Sequence, residues 1–207
     1  MVATTRRPRP ELAQAALHEA RRLVAKDGLA GLTARDLAQA VGCSVGTLYN
    51  LYPNLDTVRL HLNAELLDRL LQVVREADAA VGQDAGPEAR LLAQARAYLG
   101  FARSNLNLYL ALIDNRPPAT DDPVPGWFLE KVAALRRTVE GALSPLFAPG
   151  EADALERAAT MLWTSVNGLC EAAVSRNLAR VTRSDPDLLL EELVRTLVAG
   201  LRIRGGG

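Results

Sequence analysis

Four small or hydroxyl-bearing residues, Ser44, Val45, Gly46 and Thr47, stand directly ahead of Tyr49 and Asn50. Small side chains let a backbone come close to a bulky partner, and the polar groups behind them suit a nucleic-acid duplex. Val45 can touch a thymine methyl, Thr47 and Tyr49 can donate to a phosphate or a base edge, and Asn50 carries the amide that pairs with adenine. Thr33 and Arg35 open the segment just before. Arg6, Arg7 and Arg9 precede the first acid, Glu11, and form a basic arm that can enter an adjacent minor groove or lie along phosphates.

Other chemistries find little to work with. The chain has no GxSxG, no GxxxxGK and no HExxH, and its Asp121-Asp122 pair sits in a Pro-rich loop rather than on a helix face with other acids. Cys43 and Cys170 are far apart without a CxxC, which excludes a disulfide framework and a structural zinc site and fits a reducing cytoplasm. His18 and His61 read as surface or packing residues. Neither catalysis, a metal nor a cofactor is expected.

The elements that must position the polar run are helical throughout, because Ala, Leu, Arg and Glu recur at spacings of three and four and alternating runs are scarce. An amphipathic helix is predicted over 11–26, between Pro10 and Gly28. Two short ones follow over 33–41, closed by Gly42, and 44–51, closed by Pro53. Helix, tight Gly turn and helix make a helix-turn-helix candidate. Thr33 with Asp36, then Ser44, then Asn54 with Asp56 mark three successive helix starts. From Asn54 an apolar stripe through Leu55, Val58, Leu62, Leu66, Leu70 and Val74 runs to a break at 82–87. Further helices are expected over 88–103, 105–114, 126–144, 151–179 and 186–203. The expectation is an all-α protein divided into a head, 1–53, and a helical body, 54–207.

Charge is sorted along this order. The 207 residues hold 24 Lys+Arg against 24 Asp+Glu, and 49% are hydrophobic, which excludes a polycation and a disordered chain. Residues 1–60 nevertheless carry a net +3 and the remainder a net −3. A basic head on an acidic body implies that only the head meets a polyanion. No apolar stretch approaches the ~20 residues of a membrane span.

The segment LTARDLAQAVGCSVGTLYNLYPNLDTV, residues 32–58, closely resembles the DNA-binding signature of the TetR/AcrR family of one-component transcriptional regulators. The preceding GLAGLT turn, Leu37 to Val41, the Gly46-Thr47-Leu48-Tyr49 tetrapeptide and Tyr52 carry the likeness. The resemblance implies an N-terminal three-helix DNA-binding domain and a C-terminal ligand-binding and dimerisation domain. It implies that Arg35 reaches a guanine or phosphate, and that Thr33 and Tyr49 reach phosphates. Two positions depart from the family pattern: Leu51 stands where many members carry His, and Leu55 where they carry a phosphate-anchoring Lys. The arginine arm can compensate. These two leucines also favour the competing reading, a helical interaction protein of the same fold that has lost sequence-specific DNA binding. Tyr52, by its spacing, is expected to point inward.

In the body, residues 98–102 and 163–168 look like elements of an effector-binding domain found in one subgroup of that family, with Asn167 where the subgroup commonly has His. Tyr98, Phe101, Tyr109, Trp127, Phe128, Met161 and Trp163 are either core or the lining of an apolar cavity, to which Asn105, Asn107, Asn167 and Cys170 can add polar groups. A mostly apolar effector is expected. The last two helices carry more apolar residues than one face needs: Ala158, Ala159, Leu162, Val166, Leu169 and Ala173, then Leu188, Leu189, Leu193, Leu197, Val198 and Leu201. They are expected to bury against a twin, giving a homodimeric, cytoplasmic repressor on a palindromic duplex DNA operator, without membrane contact.

Overall fold

Helix boundaries follow the capping chemistry in the computed structural model, which describes residues 8–82, 84–114 and 123–205. Arg6, Arg7 and the Asp121-Asp122 pair lie outside them. Among the described residues there are nine α-helices and no strand. They are α1 (Arg9–Asp27), α2 (Ala34–Val41), α3 (Val45–Leu51), α4 (Leu55–Val81), α5 (Pro87–Ser104), α6 (Leu106–Ile113), α7 (Gly126–Leu143), α8 (Ala152–Val174) and α9 (Pro186–Gly205). None is long and apolar enough to cross a membrane.

Thr33 caps α2 by accepting from the Asp36 amide at 3.1 Å, and Ser44 caps α3 by accepting from the Thr47 amide at 3.0 Å. Between them Gly42 takes a φ of 78°, a left-handed conformation that costs Gly nothing and lets two helices meet in a tight turn. Asn54 caps α4: its Oδ1 accepts from the Thr57 amide at 2.7 Å and from the Thr57 hydroxyl at 3.0 Å. Asn54→Ala removes both acceptor contacts, so thermal or urea unfolding is expected to show a loss of about 1 kcal/mol. A change under a few tenths would mean that water replaces the cap.

α8 is shorter than the helix expected over 151–179. Arg176 adopts a φ of 62°, outside the right-handed region, so the helix stops at Val174 and a 3-10 turn, Leu178–Arg180, takes over.

The described chain forms two compact units, 1–66 with 105–123, and 67–104 with 124–207. In the first unit α1, α2 and α3 enclose Ala16, Ala20, Val24, Leu37 and Leu48, all buried. α6 packs on α1 in the same unit, with Tyr109 fully buried. Asn107 donates to the Ala25 and Lys26 carbonyls at 2.9 and 3.2 Å, satisfying acceptors that the end of α1 leaves open. Arg59 near the start of α4 pairs with Asp56 at 3.3 Å and with Asp114 beyond α6 at 3.7 Å.

The second unit packs α5, α7, α8 and α9 around Leu91, Leu99, Leu143, Leu162, Leu190 and Val194. Of the apolar residues picked out on the last two helices, Ala158, Ala159, Leu162, Val166 and Val198 are buried within the chain itself, Leu188 is exposed, and Leu169, Ala173, Leu189, Leu193, Leu197 and Leu201 are half-buried. The face that α8 leaves exposed carries Met161, Thr164, Ser165 and Gly168; on α9 it carries Leu188, Thr196, Ala199, Gly200 and Ile203. An apolar stripe at helical period says that one face is covered. It does not say by which neighbour.

Candidate functional site

The polar run of the head becomes a surface because its apolar neighbours anchor it. Leu37 and Leu48 are buried, and Arg35, Ser44, Val45, Gly46, Tyr49 and Asn50 are exposed around them, with Thr47 half-buried and Thr33 exposed at the start of α2. Tyr49 keeps 45% of its surface open to solvent although Leu48 beside it keeps 1%. Ser44 and Thr47 also share a hydroxyl–hydroxyl hydrogen bond of 2.9 Å, and the Thr33 hydroxyl donates to the Asp36 carboxylate at 2.5 Å. The capping groups are thereby oriented before any ligand arrives.

Arg9 is the first residue of α1, and its guanidinium donates to the Asn50 carbonyl at 2.7 Å. A cation at the C-terminal end of α3 is favoured by the carbonyls exposed there. This links the last arginine of the basic arm to the end of the polar run. Leu51 and Leu55 are half-buried, which makes them packing residues of the turn between α3 and α4. Tyr52 is turned inward as its spacing implies: it is buried, its hydroxyl donates to the Ala13 carbonyl at 3.1 Å, and its ring meets His61 edge-on with centroids 5.7 Å apart. Burial, aided by the Glu65 carboxylate, pushes its phenol up from its ordinary range. Burial likewise pushes the Cys43 thiol up, so it stays neutral.

The second unit holds a cavity of about 370 Å³, open solvent at its mouth included. Tyr98 and Trp163 line it, and the Tyr98 hydroxyl donates to Asn167 Oδ1 at 2.8 Å. The other sequence candidates fall elsewhere. Phe101 and Cys170 are buried outside the lining, and burial pushes the Cys170 thiol up to about 12, with Arg103 lowering and Asp187 raising it. Trp127 and Phe128 meet edge-to-face at 5.9 Å away from the cavity lining, and Met161 is 60% exposed. Asn105 and Tyr109 belong to the first unit.

Sequence reasoning missed Gln94 and Thr138, which do line the cavity. Gln94 had a legible signal: it interrupts the apolar stripe Leu91, Ala95, Tyr98, Ala102, and is 4% exposed. Its Nε2 donates to Asp78 Oδ1 at 3.1 Å and to the Thr138 carbonyl at 3.3 Å. Asp78 in turn takes a two-pronged pair from Arg90, at 2.9 and 2.6 Å, and Arg90 also donates to the Gly141 carbonyl at 3.2 Å. The Arg90 hydrogen bond holds the Asp78 carboxyl below its ordinary range, against the opposing effect of burial. Among the described residues no cluster of three or more His, Cys, Asp or Glu is placed to hold a metal ion.

Comparison with known proteins matches both parts of the chain. Residues 16–57 match the family model described as bacterial regulatory proteins, tetR family. Residues 91–197 match the one described as tetracyclin repressor-like, C-terminal domain. No curated protein matches the chain. Among solved structures, a protein of unknown function from Rhodococcus sp. RHA1 aligns with a TM-score of 0.69 at 21% identity, over 98% of this chain and 100% of that one. A tetR-family transcriptional regulator from Streptomyces coelicolor aligns with a TM-score of 0.62 at 18% identity, over 95% of this chain and 87% of that one. A member of the TetR family from Streptomyces coelicolor A3 gives 0.60 at 21%, over 91% and 98%. At these identities the likeness is one of fold.

Proposed function

The chain belongs to the TetR family of bacterial transcriptional regulators, DNA-binding proteins rather than enzymes, and from that premise we propose that it is a homodimeric, cytoplasmic repressor released from a palindromic operator by a small, mostly apolar effector. The observation that carries the reading is the exposed surface of α2 and α3 standing on buried Leu37 and Leu48. Val45, Gly46, Thr47, Tyr49 and Asn50 enter the major groove, Arg35 reaches a guanine or phosphate, and Thr33 and Ser44 lie at the backbone. Arg9, tied to the end of α3, leads the basic segment to the flanking phosphates. That Leu51 and Leu55 are half-buried favours this reading over loss of DNA binding, because they serve packing and leave the polar surface intact.

Selection of genomic fragments by the purified chain tests it. The expected result is an inverted repeat with half-sites about one helical turn apart, ~34–36 Å, bound with an affinity that falls as salt rises. No enriched sequence at moderate salt would overturn it.

The twin docks on the exposed faces of α8 and α9. A Cβ built at Gly168 or Gly200 would meet nothing within 4 Å in the chain, so the open surface there leaves room for a second backbone to approach. Gly168→Arg places two like charges across a two-fold axis, and the dimer dissociation constant is expected to rise about 100-fold, equivalent to ~3 kcal/mol. Sedimentation measures this directly; an unchanged dimer would place the interface elsewhere.

The effector occupies the cavity of the second unit. α4 is one continuous helix that starts at the Asn54 cap and carries Val74 to the cavity wall and Asp78 to the Gln94 amide. Reseating Gln94 around a ligand therefore bears on the helix that leads to the head. Coupling of this kind is typically ~1–3 kcal/mol and reciprocal, so DNA must weaken the ligand by the factor by which the ligand weakens DNA.

A further inference from the structure

The Gln94 amide has only one sensible orientation. Its Nε2 faces the Asp78 carboxylate and the Thr138 carbonyl, and a flipped amide would set Oε1 against both acceptors. Oε1 is left buried, with no hydrogen-bond partner. Trp163 Nε1, a donor only, is also buried without a hydrogen-bond partner. Both residues line the same cavity, and no charged residue does. Buried polar atoms are nearly always paired, so an orphaned acceptor and an orphaned donor on two residues of one cavity's wall point to a missing complement.

We propose that the cavity binds a compact, neutral molecule with one hydrogen-bond donor and one acceptor on an apolar body, of the class of cyclic secondary amides: its N–H donates to Gln94 Oε1 and its C=O accepts from Trp163 Nε1. The assignment rests on the effector reading of this unit and gives that effector its chemistry. An ion is disfavoured because nothing on the wall compensates a charge. The amide bonds would draw on a Gln94 already held by Asp78, so the site is partly preorganised.

The test uses the full-length, 15N-labelled chain and three probes: ε-caprolactam, N-methylcaprolactam, which lacks the donor, and cycloheptanone, which lacks it too. Trp127 and Trp163 are the only tryptophans, so Trp127→Phe identifies the Trp163 indole resonance. Caprolactam is expected to move that resonance downfield saturably, and the two donor-less probes to bind about 10-fold more weakly or worse. Gln94→Met is expected to level the three. If that variant does not fold, the comparison of probes on the unmutated chain decides alone.

A Trp163 resonance that no probe moves would overturn the proposal, as would equal binding of caprolactam and its N-methyl form. So would water exchange at the Trp163 indole that persists under saturating lactam, since the orphaned atoms would then be hydrated only. Donor-selective binding that leaves operator affinity unchanged would support the site and overturn the switching function. Operator release by a molecule indifferent to Gln94 and Trp163 would do the reverse.

Discussion

Tyr49→Ala is expected to lower operator affinity by about 100-fold or more while leaving the melting temperature almost unchanged. The two halves of that result come from different features of one residue. Tyr49 is 45% exposed, so its removal creates no cavity, and Ala is the better helix former at an exposed position of α3. On DNA, a lost phosphate or base contact is worth ~1–3 kcal/mol, and a symmetric dimer loses it twice. Binding isotherms on the selected operator and a thermal melt measure both quantities.

Two neighbours make the test specific. Leu48 is 1% exposed, so Leu48→Ala is expected to cost about 2–5 kcal/mol of stability and to lose DNA only through unfolding. Arg35→Ala should reduce the slope of log affinity against log salt by about one unit per head if Arg35 meets a phosphate. Tyr49→Ala should leave that slope alone, because a phenol neutralises no charge. Retention of full affinity by Tyr49→Ala would remove α3 from the DNA interface.

Arg90→Ala is expected to be the most destabilising change on the polar side of the second unit, about 3 kcal/mol near neutral pH. Arg90 and Asp78 side chains are only 18% and 20% exposed, and their two-pronged pair is extended by Gln94 on one side and the Gly141 carbonyl on the other. Removing the guanidinium leaves a half-buried carboxylate with an amide as its remaining partner.

The pH dependence follows from sign. Asp78 titrates below its ordinary value of 3.8 in the folded chain. It therefore contributes stability that is fully present above that ordinary value and lost as pH falls through the depressed one. Without Arg90, burial is opposed only by the Gln94 hydrogen bond and is expected to raise the folded value. The variant's deficit should then be largest at neutral pH and shrink in acid, where a protonated Asp78 needs no cation. Adding Asp78→Asn to Arg90→Ala should recover part of the loss at pH 7. A deficit below about 1 kcal/mol that ignores pH would mean that the pair behaves as a surface ion pair. Since Asp78 holds the Gln94 amide, the same variant also probes the cavity wall.

How much of this was legible before folding divides along the range of the interactions. Thr33, Ser44 and Asn54 cap helices with amides three residues away, Gly42 turns the chain with its own φ, and Tyr52 points inward by helical spacing. Such signals act within a single turn of chain, so the order of helices, the all-α class and the exposed polar run of α3 could be read directly from the sequence. Arg176 shows the limit even of local reading: a non-glycine residue took the left-handed conformation and shortened α8, with no Gly or Pro to announce it.

Everything that required two distant segments was decided by tertiary packing. Gln94 lines a cavity with Thr138 and Trp163, residues from three different helices. α6 follows α5 in the chain yet packs with α1, which removes Tyr109 and Asn105 from the cavity's unit. α8 packs on α7, α5 and α9, and α9 packs chiefly on α5, while Met161, Leu188 and Ile203 stay exposed. Helical periodicity records which face of an element avoids water. Which neighbour covers that face, and which polar atom is stranded when it does, depends on close packing between segments that the chain's own local energies do not compare.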